Sequence, residues 1–528
     1  MTPLRDPIKV ERNLLRAITV ATVLAALMSL AGIFLLTLGF DEAWILLGID
    51  GIIHPLPGDM AVAPVVSNGG FLAMGELAVS AMVGKTLWVH RLFVFLCMAG
   101  VVALIMRRAR KLAGSWAAAL LAPAVLLGLP GTLVLGASGY ATAPAFLVLL
   151  CVVELWELGD ARRWVRWIAC GGLAGLAAAT RLEVAMLLPA LVIGSLLVRE
   201  GRRERLIDAV IAAVVAAVVL LACMTALSHA APTAGLDSDT VSSMTGVRGA
   251  WLDYPRLLNK WVIGESFMTP VLFVLATLVG WLLARNGDRP ESSACAMLIL
   301  CGWLLWMAWL ARSPIAHLRY LWPSLACFAV VLGLGLARLH AWGVAHHEPV
   351  ARIASLVLAL ACLITGLGST LRDLAQGEGN MLSWEWSRET PMDYFRRFQH
   401  LHDQRGAAQY LSEHASADET IGVLGLDTEL KYLTGRRLIS LQALNKNGTW
   451  KDAQPLPRRL VLTPMVGSYM YLSAAGYQWI EKNCVLEAQF GRYCFYRVTG
   501  AYPKDPAVLE LKVVYQPPAP LARPAWGG

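Results

Sequence analysis

Over roughly the first 370 residues, long apolar runs alternate with short polar loops; beyond that point the alternation stops. Eleven apolar stretches stand out, at about 15–40, 88–106, 113–133, 140–158, 164–180, 182–198, 206–227, 268–284, 293–311, 320–337 and 352–369. Each approaches the ~20 residues that an α-helix needs to cross a bilayer. The fifth and sixth form one apolar run, interrupted only by Thr180, Arg181 and Glu183. The first, from Leu14 to Phe40, is longer than the core of a cleaved signal peptide and predicts a retained helix. After Thr370 the strand-like runs Thr420–Leu424, Arg459–Leu462 and Tyr493–Val498 lie between Gly, Pro and Asp turn signals. The pattern predicts a polytopic α-helical membrane protein of about eleven transmembrane helices over residues 1–369, with a first outer loop at 41–87. A C-terminal extramembrane α+β domain follows at 370–528, its Pro- and Gly-rich last dozen residues reading as a tail.

Composition agrees, with 57% hydrophobic and 16% charged residues, against about 45–50% and about 25% in soluble proteins. A large soluble enzyme is excluded. The net charge of +8 does not point to nucleic acid, because the basic residues cluster in loops beside the spans. With the N-terminus cytoplasmic, the inner short segments carry nineteen Lys and Arg and the outer ones eight, which is the positive-inside bias. An odd number of spans then puts the C-terminal domain outside, which in a bacterium is the periplasmic side of the inner membrane. Eight of ten cysteines lie in apolar spans, where Cys behaves as a small hydrophobe. Cys484 and Cys494 lie in the exported domain, where a disulfide between them would persist. No CxxC, HExxH, Walker sequence or internal repeat occurs.

The first span ends in Phe40-Asp41-Glu42. Ionised groups at the membrane edge are costly and mark functional sites. Two readings stand: solvated residues closing a helix, or Asp41 as a general base facing a cavity. The loop beyond holds Asp50, His54, Asp59 and Glu76 with only Lys85 as counter-charge. His54 reads as structural, and no ligand cluster defines a metal site. At 228–267, Asp237, Asp239, Arg248, Trp251 and Asp253 form an amphipathic stretch, either a lid or an interfacial helix. Gly171-Gly172 and Gly175 read as a close helix-packing seam. Trp384, Trp386, Tyr394 and Phe395 read as an interface belt.

Four segments, in order, resemble the GT-C membrane glycosyltransferases, which include protein O-mannosyltransferases and lipid A aminoarabinose transferases. They are Phe40-Asp41-Glu42 after span one and Ser67-Asn68-Gly69-Gly70-Phe71 through Gly84 to Arg91 at the start of span two. The others are Gly175-Leu176-Ala177-Ala178-Ala179-Thr180-Arg181 and Arg319-Tyr320-Leu321-Trp322-Pro323. The sequence departs from many relatives at Gly136-Ala137-Ser138-Gly139-Tyr140-Ala141-Thr142, which lacks the second acid found there.

The resemblance implies an inverting transferase that moves a sugar from a polyprenyl-phosphate donor, undecaprenyl in a bacterium, to an envelope acceptor. That acceptor is lipopolysaccharide, another glycan or lipid, or a protein. Asp41 would take the acceptor proton, and Glu42 would orient the acceptor or hold a divalent cation, on which the superfamily depends variably. No other cofactor is implied. Outer-side cations would meet the leaving phosphate, Arg being favoured because its planar fork binds phosphate oxygens bidentately. The available set is Arg91, Arg181, Arg312 and Arg319 with Lys85, His317 and Tyr320; for each Arg the plainer reading is snorkelling at a helix end. Two other classes stand beside this one, a transporter or flippase for lipid-linked glycans and a non-catalytic envelope assembly protein. The first is disfavoured because the charges collect at the outer surface rather than at the midplane. The second gives no reason for acids at the membrane edge.

Overall fold

The structure, a computed structural model, describes residues 7–35, 42, 46, 87–129, 131–139, 141–157, 163–197, 202–230, 268–285, 290–312, 318–376, 399–425, 428–441, 456–463 and 470–513. Two compact units result. One comprises Met1–Leu36, Gly48–Leu374 and Gly379–Arg388; the other comprises Thr37–Leu47, Ala375–Glu378 and Glu389–Gly528.

A helix or broken helix occupies every one of the eleven apolar stretches. In order they are α1 (Pro7–Leu35), α2 (Leu87–Ala113), the pieces α3 (Trp116–Ala119), α4 (Leu121–Leu127) and α5 (Thr132–Leu135), α6 (Thr142–Trp156) and α7 (Arg163–Thr180). There follow α8 (Leu187–Leu197), α9 (Arg202–Ala230), α10 (Met268–Arg285), α11 (Pro290–Arg312), α12 (Leu318–Ala345) and α13 (Pro349–Gln376). Among the described residues five helices are long and apolar enough to span a bilayer: Pro7–Phe34, Leu87–Ala113, Arg203–Cys223, Trp322–Ala345 and Pro349–Gly368. The chain is a membrane protein.

Packing sorts these helices. The segment Trp322–Ala345 is 67% buried within the unit and Arg203–Cys223 only 22%. Helix α12 is therefore the hub, packing against α2, α4, α10 and α11, whereas α9 turns Val210, Val214, Val218 and Leu221 outwards to lipid. The run predicted at 113–133 is broken, because Gly131 takes φ +76°, a conformation open to glycine. Thr132 repairs the interruption: its hydroxyl donates to the Leu126 carbonyl at 3.0 Å and accepts from Trp322 Nε1 at 2.9 Å. Freed backbone groups at membrane depth need such partners.

The α7–α9 seam uses Gly171 and Gly175. A Cβ on either would stand 2.6 Å from the carbonyl of Ala212 or Ala216 respectively. Gly172 faces open space and takes no part.

In the second unit α14 (Gln399–His414) leads into a five-stranded sheet. Its strands are β1 (Thr420–Leu424), β2 (Arg437–Ser440), β3 (Arg459–Leu462), β5 (Cys484–Phe490) and β6 (Tyr493–Val498), in spatial order β2-β1-β3-β6-β5. All three strand-like runs read from the sequence are strands here. β1 pairs in parallel with β2 and β3, while β6 is antiparallel to β3 and β5. The short helix α15 (Thr428–Thr434) joins β1 to β2, and α16 (Ala474–Asn483) runs into β5. A separate two-stranded ladder joins β4 (Met470–Leu472) to β7 (Leu511–Val513). The sheet is covered on both faces. Ile421, Val423, Val461 and Phe495 pack with Ala407 and Leu411 of α14, and Leu424, Leu460 and Leu462 pack with Trp479, Ile480 and Leu509.

Cys484 and Cys494 are both free thiols, which corrects the disulfide option. The register sets Cys484 opposite Val498 and Cys494 opposite Gln489. Four residues of strand separate the two rungs, roughly 13 Å, whereas a disulfide needs Cα atoms within about 7 Å. Burial pushes the Cys484 thiol up to about 11 and raises that of Cys494. It also carries the Tyr496 phenol up to about 12.

Candidate functional site

Five long-range hydrogen bonds gather at one end of the helical unit, where α1 and α7 finish and α2, α6 and α12 begin. Each is made by a polar side chain in an apolar neighbourhood. Ser29 Oγ donates to the Leu133 carbonyl at 2.9 Å, fixing α1 against α5. Arg91 Nη1 donates to the Ile33 carbonyl at 2.9 Å, so a buried guanidinium meets the carbonyl end of α1, where cations suit the helix dipole. His90 Nε2 bonds the Gly139 carbonyl at 2.8 Å. Arg181 Nη1 donates to Thr142 Oγ1. Trp322 Nε1 reaches Thr132, and its ring meets Phe146 edge-on with centroids 5.2 Å apart.

The local sequence explains the placement of Arg181. Helix α7 ends at Thr180, and Arg181 is extended (φ −146°, ψ 111°) before a 3-10 turn at Leu182–Met186 restarts the helical path into α8. Sequence reading placed the interruption of the fifth and sixth stretches at these residues. The break projects one cation out of an apolar run and onto the first turn of α6.

Of the other predicted residues, Arg319 and Tyr320 lie in the first turn of α12, just ahead of the buried Trp322. Glu42 is 1% exposed and belongs to the second unit. Asp41, Lys85 and His317 lie outside the described residues, as do Asp50, His54, Asp59, Glu76, the stretch 231–267 and the aromatic group from Trp384 to Phe395. Sequence reasoning missed His90 and Thr142. A lone His or Thr in an apolar helix reads as core; the only signal was their adjacency to Arg91 and to the small-residue turn before α6.

The opposite end of the helices carries ion pairs rather than a reactive set. Arg108 bonds Glu154 at 2.7 Å and Glu157 at 3.0 Å. Asp208 accepts from Arg163 at 2.8 Å and from Trp167 Nε1 at 2.9 Å. Glu11 joins α1 to Arg352 at 3.0 Å and to His340 at 3.4 Å. Each pair has at least one partner largely removed from water and so locks helix register, because parting the pair strands that charge. Among the described residues no three His, Cys, Asp or Glu side chains come together to hold a metal ion.

Residues 76–229 match the family described as dolichyl-phosphate-mannose-protein mannosyltransferase. That stretch contains Lys85, Arg91 and Arg181 and begins beyond Asp41-Glu42. No curated protein matches the chain in sequence. In structure the chain is similar to ArnT from Cupriavidus metallidurans in the apo state, with TM-score 0.57 and 14% identity over 90% of this chain and 97% of that one. The same values hold for ArnT bound to undecaprenyl phosphate. The Archaeoglobus fulgidus oligosaccharyltransferase, solved with Zn and sulfate, gives TM-score 0.48 and 13% identity over 84% and 67%. The match to ArnT along nearly all of both chains establishes a shared fold. The fold that the GT-C resemblance implies is borne out, as is the helical membrane chain followed by a small sheet; of the four segments, the family match reaches those that end at Arg91 and Arg181.

Proposed function

We propose that this chain, which has the fold of ArnT and a central segment matching the dolichyl-phosphate-mannose-protein mannosyltransferases, is an inverting membrane glycosyltransferase. It moves a sugar from a polyprenyl-phosphate donor to an envelope glycan, lipid or protein at the outer face of the inner membrane. The N-terminus is cytoplasmic and residues 370–528 are periplasmic, as the basic loops require. One observation carries the reading: the structure brings Arg181, Arg91 and the start of α12, far apart in the chain, to one end of an ArnT-like helical unit.

The chemistry follows from charge. Breaking the bond between the anomeric carbon and the phosphate oxygen leaves polyprenyl phosphate with a growing negative charge. A guanidinium held in a water-poor site stabilises that charge far better than it would in water. Arg181 fills this role, and Arg319, Lys85, His317 and Tyr320 are the further residues assigned to the phosphate. Arg91 contributes through α1, whose end it caps. The acceptor oxygen or nitrogen forms the new bond on the face opposite the phosphate, which inverts the centre, and its proton goes to Asp41. Glu42 orients the acceptor. Chelator sensitivity of the reaction decides whether the first-loop acids hold a divalent cation.

The test uses purified full-length protein in lipid with a panel of polyprenyl-phosphate sugars and crude envelope extract as acceptor, following free polyprenyl phosphate by mass spectrometry. Release by wild type and its loss in Asp41→Asn supports the reading and names the donor. A folded wild type that releases nothing from any donor removes it in favour of transport or assembly.

A further inference from the structure

We infer that His90 is a positioning residue of the donor-phosphate site, setting the orientation of Arg181 through the turn that precedes α6; the inference rests on the glycosyltransferase reading. His90 is 3% exposed and contacts Gly139, 49 positions further along the chain. A carbonyl oxygen only accepts, so Nε2 carries the proton in this pair.

Backbone bonds hold the first half of the turn that precedes α6: the Gly136 N–H donates to the Thr132 carbonyl at 3.0 Å, and those of Ala137 and Ser138 donate to the Val134 carbonyl at 3.0 and 2.8 Å. The turn is built largely of Gly, Ala and Ser, and Ala141, at the N-cap of α6, offers no side-chain cap. The Ser138 hydroxyl adds a bond to the same Val134 carbonyl at 2.8 Å, which ties the start of the turn back to α5. The His90 bond ties its far end to α2. Three residues beyond Gly139 stands Thr142, whose hydroxyl accepts from Arg181. Arg181 itself is extended between α7 and α8: its N–H closes α7 on the Ala177 carbonyl at 2.8 Å and its carbonyl accepts from Val184 at 2.9 Å, so the backbone is fixed and the side chain leaves the helical path towards Thr142. The run of contacts is therefore His90, Gly139, Thr142, Arg181. Its other branch starts one residue on, where Arg91 holds the carbonyl end of α1. A single dipeptide in the first turn of α2 thus braces two neighbours, and the branch through His90 ends on the cation assigned to the leaving phosphate.

The chemistry separates this role from general packing. A glutamine amide reaches the Nε2 position and donates there, whereas asparagine is too short. His90→Gln should keep release kinetics within about threefold of wild type. His90→Asn and His90→Ala should raise the donor KM and weaken undecaprenyl phosphate binding by about tenfold, the scale of one hydrogen bond, with a smaller change in kcat. Because the effect runs through Arg181, His90→Ala combined with Arg181→Ala should bind no more weakly than Arg181→Ala alone.

The experiment measures undecaprenyl phosphate binding and release kinetics on the full chain in lipid, with a melting temperature for each variant. If His90→Ala does not fold, the contrast between Gln and Asn carries the test. Binding by His90→Ala or His90→Asn equal to wild type, or additive losses in the double variant, overturns the inference while leaving the function standing. A wild type that neither binds polyprenyl phosphate nor releases it overturns both.

Discussion

Replacing Arg181 with alanine removes the one guanidinium that the helix break presents to Thr142, and release of polyprenyl phosphate should fall about 10²–10³-fold in kcat/KM. Arg181→Lys should recover only part of this, since an ammonium cannot bind two phosphate oxygens in a fork. Equal activity of both variants and wild type in the mass-spectrometric assay would take Arg181 out of the site. Asp41→Asn should lower kcat by about 10²–10⁴-fold, the range for a lost general base, with the melting temperature unchanged. At this scale the sequence was legible where chemistry and position were both unusual. Arg181 interrupts an apolar run, and Arg91 opens a helix. It was not legible for His90 and Thr142, whose importance lies in partners 49 and 39 positions away; a single polar residue in an apolar stretch looks the same whether it meets a carbonyl or fills a core.

Between elements, the α7–α9 seam makes a prediction with an internal control. Gly175→Ala places a methyl group against the Ala216 carbonyl, a backbone atom that cannot rotate away. Relief requires the helices to part, at a cost of about 1–3 kcal/mol. Gly172→Ala meets nothing within 4 Å and should leave the melting temperature unchanged or slightly raised. If heating the two variants in lipid shows the same stability, the seam is not set by glycine. Reading the cluster Gly171-Gly172-Gly175 as close packing was therefore right for two of its members. The third was invisible without knowing which side of α7 meets α9. The broken α3–α5 stretch has the same origin: its composition is apolar enough for one helix, and only the Trp322–Thr132 bond shows how the interruption at Gly131 is tolerated.

For the molecule as a whole, the second unit carries a pH response. Burial favours the neutral forms of Cys484, Tyr493, Tyr496 and Tyr502, raising Cys484 to about 11 and Tyr496 to about 12 and also raising Tyr493 and Tyr502. Unfolded, these groups lose protons first, near their ordinary values of 9 and 10. The stability they confer is complete below about pH 9 and is lost as pH rises towards 12. Denaturant unfolding of the full chain, read by thiol labelling of Cys484 and Cys494 in brief pulses at a common pH, should show a level stability to pH 9 and then a fall. A flat profile to pH 11 would show that the phenols are not buried as described. Mass spectrometry without reductant should find both thiols free.

On its own the sequence determined the membrane class, the eleven helical stretches, the three strands and the break at Arg181, because hydrophobic transfer and turn chemistry act locally and leave a periodic record. Tertiary structure alone decided three things: the parallel β2-β1-β3 pairing, the separation of Cys484 from Cys494 by strand register, and the convergence of His90, Arg91, Thr142 and Arg181. These depend on which distant surfaces meet, and the free energy of such a meeting is shared by both partners, so neither segment records it alone.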